Sequence, residues 1–154
     1  MNRLHTLVRS GLVIAAASVS LVACDMMPMK SKANADLITF GGALSGAKEV
    51  PATSTGGSGT AEAWLNKSNN QLKWKVVYSG LSGKAAAGHI HGPALAGANA
   101  GVLIPFVDPS SPIEGQATLT QAQMADLMAG KMYVNIHTAA HPGGEIRAQL
   151  VPKI

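Results

Sequence analysis

Residues 71–79 constrain the fold more than any other stretch. Leu72, Trp74, Val76 and Tyr78 alternate with Lys73, Lys75, Val77 and Ser79. A strand sends successive side chains to opposite faces, so this segment has one apolar face and one wet face. The same two-residue period recurs along most of the chain, broken by short Gly, Pro, Ser and Asn clusters. Strands are expected over Leu37–Leu44, Thr60–Leu65, Ala85–His91, Val102–Val107, Ile113–Leu119, Met132–Thr138 and Glu145–Val151. The Lys67-Ser68-Asn69-Asn70 turn joins Thr60–Leu65 to residues 71–79 as a hairpin. Pro51 forbids a central strand where it stands. Helical spacing occurs only over 120–129. There Thr120 serves as N-cap, Leu119 and Met124 as hydrophobic staple, and Gly130 as stop, with Met124, Leu127 and Met128 expected in the core. About eight strands and one short helix predict an antiparallel β-sandwich or barrel. Trp64 and Trp74 are expected to pair in its core or at its rim.

The first residues read as a targeting segment. Arg3 and Arg9 precede a run from Gly11 to Val22 that is too short to span a bilayer, which takes about 20 residues. It ends in Leu21-Val22-Ala23-Cys24, which resembles a bacterial lipobox, and Cys24 is the single cysteine of the chain. The expectation is a lipoprotein signal peptide over 1–23, acylation of Cys24, a tether over 24–35 and one domain over 36–154. The protein is then lipid-anchored in the bacterial envelope, facing the periplasm or the outside. Asp25 resembles an inner-membrane retention signal. Met26, Met27 and Met29 in the tether offer thioethers that suit Cu(I).

The chain has 12 basic and 8 acidic residues, and loss of residues 1–23 removes two arginines, leaving a net charge of +2. That is too small to imply a nucleic-acid partner. An acylated Cys24 leaves no disulfide and no thiol nucleophile. There is no Gly-x-Ser-x-Gly elbow, and no helix follows the glycines at 88, 92, 97 and 101 to make a phosphate loop.

The chemistry-bearing residues are histidines. Four of the five lie in two short segments, His89-x-His91 and His137-x3-His141. Parity puts Ile90, Val134 and Ile136 on one face, and His89, His91, Tyr133, Asn135 and His137 on the other, expected as the outer polar face. Imidazoles so placed can chelate Cu²⁺, Zn²⁺ or Ni²⁺. His89, His91 and His137 are the candidate ligands, with His141 from the following loop as a fourth. Asn135, Glu145 and Arg147 are candidates to orient them by hydrogen bonds.

The segments Leu44-Ser45-Gly46-Ala47-Lys48-Glu49-Val50-Pro51, Gly88-His89-Ile90-His91-Gly92, Gly130 with Tyr133–Thr138, and Gly143-Gly144-Glu145-Ile146-Arg147 together resemble the CHRD domain, first described in chordin. The resemblance covers about residues 36–151. It departs from the family pattern at Ala148, where a glycine is usual. It implies an immunoglobulin-like or superoxide-dismutase-like β-sandwich and says little about activity. Three readings compete. The first is a non-enzymatic, membrane-tethered protein that binds a transition metal, copper before zinc. The second is a protein- or polymer-interaction module, with an envelope protein as partner and structural histidines. The third, least favoured, is a dismutase-like metalloenzyme, for which no zinc loop or disulfide pair is present.

Overall fold

The computed structural model describes residues 36–153; the signal segment, Cys24 and the tether methionines lie outside the described residues. Eight strands form: β1 (Leu37–Ser45), β2 (Ser58–Asn66), β3 (Gln71–Ser79), β4 (Ala85–His91), β5 (Val102–Pro105), β6 (Ile113–Thr118), β7 (Met132–Thr138) and β8 (Ile146–Pro152). Among the described residues one helix, α1 (Gln121–Met128), lies between β6 and β7, and a 3-10 turn, Gly46–Lys48, follows β1.

All pairings are antiparallel, in the order β5-β4-β7-β8-β1-β2-β3-β6. The fold is all-β and sandwich-like, built from a single sheet rolled until it nearly closes. Its halves, β5-β4-β7-β8 and β1-β2-β3-β6, enclose one core. A sheet this wide and twisted curls on itself to bury its apolar face.

The alternation read from sequence sets the inward face. Leu72 and Val76 are fully buried and Trp74 nearly so, while Lys73 and Lys75 are exposed. From the other half, Ile90, Val134, Ile136, Ile146, Ala148 and Leu150 face them. Trp74 packs on Phe106, which follows β5, with ring centroids 5.6 Å apart. Trp64 does not join it. The tryptophans occupy adjacent strands at opposite parity, Trp74 across from Ala63 and Trp64 across from Lys73. The expected tryptophan pair is therefore replaced by Trp74 with Phe106.

The helix is capped as its sequence requires. Thr120 Oγ1 accepts from the Gln123 N–H, and Gln123 Oε1 accepts from the Thr120 N–H, at 3.2 and 2.8 Å. Leu119 is buried, Met124 packs on the core beside it, and Gly130 takes φ +67° just past the last turn. Leu127 is fully buried, but Met128 is 43% exposed, against the expectation of a core contact. Two turns of helix have room for only a narrow buried stripe, which Met124 and Leu127 fill.

Candidate metal centre

The centre is built on β4, β7 and β8. In register, His89 lies across from Asn135, and Asn135 across from Arg147; His91 lies across from Tyr133. Ile90, on the opposite face, is fully buried in the core. Gly88 is demanded by the packing below: a Cβ there would stand 2.8 Å from the Phe106 ring and 3.0 Å from Ile136.

Parity holds, but the expected exposure does not. The face away from the core is covered, not open to water. His91, Tyr133, Asn135 and Arg147 are all buried, while His89 and His137 are half-buried. The cover is the segment 93–101 on one side and the turn after β1, carrying Glu49, on the other. Arg147 donates to Asn99 Oδ1 at 3.0 Å and to the Ala98 carbonyl. Gln149 donates to the Ala94 carbonyl at 2.8 Å. Tyr133 Oη accepts from the Ala100 N–H at 3.1 Å. Beneath this cover, Tyr133 lies between two cations or potential cations. The Arg147 guanidinium sits 3.4 Å from the centre of its ring, and the His91 ring stacks at 4.8 Å and 3°. Such a stack orients the His91 imidazole on a rigid platform.

Three histidines converge. One ring nitrogen from each of His89, His91 and His137 lies within 4.8 Å of the other two. His89 Nδ1 and His137 Nε2 are 3.0 Å apart and share a hydrogen bond. The partners assign the tautomers. His137 Nδ1 donates to the Pro142 carbonyl at 2.9 Å, so its Nε2 carries the lone pair. His91 Nδ1 donates to the Ala100 carbonyl at 3.0 Å, so its Nε2 also carries a lone pair. That His91 Nε2 is buried and has no hydrogen-bond partner among the described residues. Carbonyls on the distal nitrogens are the usual way that a metal-binding imidazole is oriented and made more basic.

Burial lowers the pKa of His89, and the neighbouring His137 and His91 lower it further. Burial also lowers that of His137; the Pro142 carbonyl pulls against this and the charge of His91 adds to it. Held toward the neutral form, His89 and His137 are able to bind a cation. Tetrahedral coordination at about 2.0–2.1 Å puts neighbouring nitrogens ~3.3 Å apart. The closest observed pair is already that near, and the third nitrogen lies within 4.8 Å of both. The residues present therefore fit a metal ion.

The other expected members lie elsewhere. His141 is outside the three-histidine group and lines a small cavity of about 240 Å³ with Glu49, Pro51 and Gly144. The turn between β7 and β8, closed by the Gly144 N–H donating to the His141 carbonyl at 3.1 Å, places it there. Glu145 does not reach a histidine. Its carboxylate accepts from Thr55 Oγ1, the Ser82 N–H, Ser82 Oγ and Thr138 Oγ1, at 2.6–2.7 Å. Burial raises the pKa of this group, but the hydroxyls and the Ser82 N–H outweigh it and hold it at about 2. Glu145 precedes β8, so strand parity does not apply to it. Arg147 acts on the cluster through Tyr133.

Asn135 lies across from His89 on the histidine face but makes no hydrogen bond to a histidine. It donates to Glu49 Oε1 at 3.2 Å, and more weakly to the Gly143 carbonyl at 3.5 Å. Glu49 was not foreseen as part of this centre. It is buried, and desolvation raises its pKa against the lowering effects of Asn135 and Arg147. The available signal was its position in the Lys48-Glu49-Val50-Pro51 motif. Gly144, at φ +130°, is the residue that lets this pair form: a Cβ there would meet Asn135 Nδ2 at 2.2 Å and Glu49 Oε1 at 2.6 Å.

These buried polar residues coincide with the motifs quoted above for the family resemblance. No curated protein and no solved structure matches the chain. The family model for the CHRD domain matches residues 40–150, which takes in β4, β7 and most of β8. The chain belongs to the CHRD domain family.

Proposed function

We propose that this is an extracytoplasmic, lipid-anchored protein that binds one transition-metal ion through His89, His91 and His137, and that it holds or passes on the ion rather than catalysing a reaction. The observation that carries this reading is the convergence of three imidazole nitrogens within 4.8 Å, one of them a buried, unpartnered lone pair. A buried polar atom without a partner is costly, and a metal ion at that point removes the cost. Copper is preferred to zinc because an all-imidazole site follows the general order of divalent affinities, in which Cu²⁺ stands highest. His141 is left out of the ligand set. The Leu21–Cys24 motif supports acylation at Cys24 and anchoring in the envelope, with Asp25 favouring the inner membrane.

Metal analysis of the protein purified from its native envelope, with no metal added, tests this reading. The expected result is copper close to one ion per chain. Metal-free protein that also fails to take up Cu²⁺ or Zn²⁺ favours the second reading, a module that binds a protein or polymer and uses its histidines structurally. The stack of His91, Tyr133 and Arg147 under the 93–101 segment is the observation on which that reading rests.

A further inference from the structure

Besides Nε2 of His91, a second side-chain atom in this centre is buried without a partner: Asn135 Oδ1. The amide orientation is fixed by chemistry, because the other end faces two acceptors, Glu49 Oε1 and the Gly143 carbonyl. Only Nδ2 can donate to them, so Oδ1 is the free end. Asn135 stands directly across from His89 and two residues before His137 on the same strand face. Directly opposed side chains on a sheet have Cβ atoms about 4.5–5.5 Å apart. The centre thus has two unmet needs on one sheet face. One is a lone pair that wants a cation; the other is an acceptor that wants a hydrogen-bond donor.

A bare metal ion bound by three imidazoles meets the first need and leaves the second. A fourth protein ligand would have to come from the residues nearby, and His141 lies off in the cavity by Glu49. We infer that the fourth coordination position is open and holds a water molecule, which donates to Asn135 Oδ1, so that a small exogenous anion can exchange into it. The proposal rests on the metal-binding reading of the same site. Asn135 is here a positioning residue: it does not touch the metal but sets which fourth ligand is preferred. A metal-bound water has protons to donate to Oδ1, whereas azide has none. Asn135 therefore favours water over azide by about one hydrogen bond, roughly fivefold to tenfold.

The test uses the full-length chain in detergent, loaded with Cu²⁺ and titrated with azide. Azide binding is read from its charge-transfer absorption, and the exchangeable water from the relaxation rate of solvent protons. In the wild type, a saturable one-to-one azide band should appear as the relaxation enhancement falls. Asn135→Leu, which removes the acceptor, should bind azide about fivefold to tenfold more tightly. Asn135→Asp keeps an acceptor of the same shape and adds negative charge, and should bind azide at least fivefold more weakly. Its inclusion keeps the test informative if Asn135→Leu does not fold. If the wild type binds Cu²⁺ but shows neither an azide band nor exchangeable water, the fourth position is closed by the protein, and this inference fails while the metal reading stands. If azide affinity is unchanged in the folded variants, Asn135 does not hold the water. If the wild type binds no Cu²⁺ at all, both fall together.

Discussion

Glu145→Gln isolates the one buried carboxylate whose role the structure reassigns. In the folded protein Glu145 is fully buried and accepts four hydrogen bonds, two from Ser82 and one each from Thr55 and Thr138. Glutamine can keep its oxygen toward the Ser82 N–H. Its amino group then replaces Oε2, whose partners are hydroxyls of Ser82 and Thr138 able to turn and accept. No donor is orphaned, but every bond changes from charge-assisted to neutral. That difference is roughly 1 kcal/mol per bond. Burying a neutral amide costs less than burying a carboxylate and offsets part of the loss, leaving a net destabilisation of about 2–4 kcal/mol. The assay is urea unfolding followed by tryptophan fluorescence, where the midpoint falls and the slope is unchanged. The pH dependence supplies an independent sign. A carboxyl held at about 2 in the fold, against an ordinary 4.5, contributes stability that is complete above 4.5 and is lost as pH falls from there toward 2. The wild type should show this acid loss and Glu145→Gln should lack it. A cost under about 0.5 kcal/mol, the range of an ordinary surface change, would refute the reasoning. So would a tenfold or larger fall in metal affinity, of the size expected for a carboxylate that orients a ligand histidine.

Other expectations follow from the same geometry. Trp74→Ala should cost about 3–5 kcal/mol, because the ring is buried against Phe106; Lys73→Ala should stay within about 0.5 kcal/mol. Equal costs would contradict the assignment of faces. Cu²⁺ affinity should fall on acidification below pH 6.5, because protons compete for the imidazoles and burial lowers the pKa of His89 and His137 from that ordinary value. Stability of the metal-free protein should decline in the same window, because the unfolded histidines take up protons first; a loss of affinity centred above pH 6.5 would count against the cluster. Cys24→Ser should move the protein from the membrane to the soluble fraction, and a variant retained as fully as the wild type would end the lipoprotein reading.

What the sequence made legible was local and periodic. Alternation at Leu72–Tyr78 assigns faces without knowledge of the partner strands, and Thr120 with Gln123 carries its capping box within four residues. The parity of His89, His91 and His137 was equally plain. The cover over them was not, because the Gly- and Ala-rich segment 93–101 has no period. It is placed by distant donors, Arg147 and Gln149, acting on its carbonyls. The pairing of β8 with β1, which makes one sheet of two halves, joins segments a hundred residues apart and depends on the whole fold. Glu145 and His141 were misplaced for one reason: both lie in the β7–β8 connection, where strand parity gives no direction. Asn135 lies inside β7, so parity puts it on the histidine face, yet its amide turns to Glu49 and the Gly143 carbonyl and not to a histidine.

The central claim, a three-histidine metal site, is tested most directly by calorimetric titration of Cu²⁺ and Zn²⁺ into the full-length chain and its single alanine variants. His89→Ala, His91→Ala and His137→Ala should each lose binding by at least tenfold, His91→Ala most clearly, since its Nε2 is the buried unpartnered atom. His141→Ala should bind as the wild type does. Wild-type affinity retained in both His89→Ala and His91→Ala would contradict the account and leave these histidines as structural members of a buried polar layer.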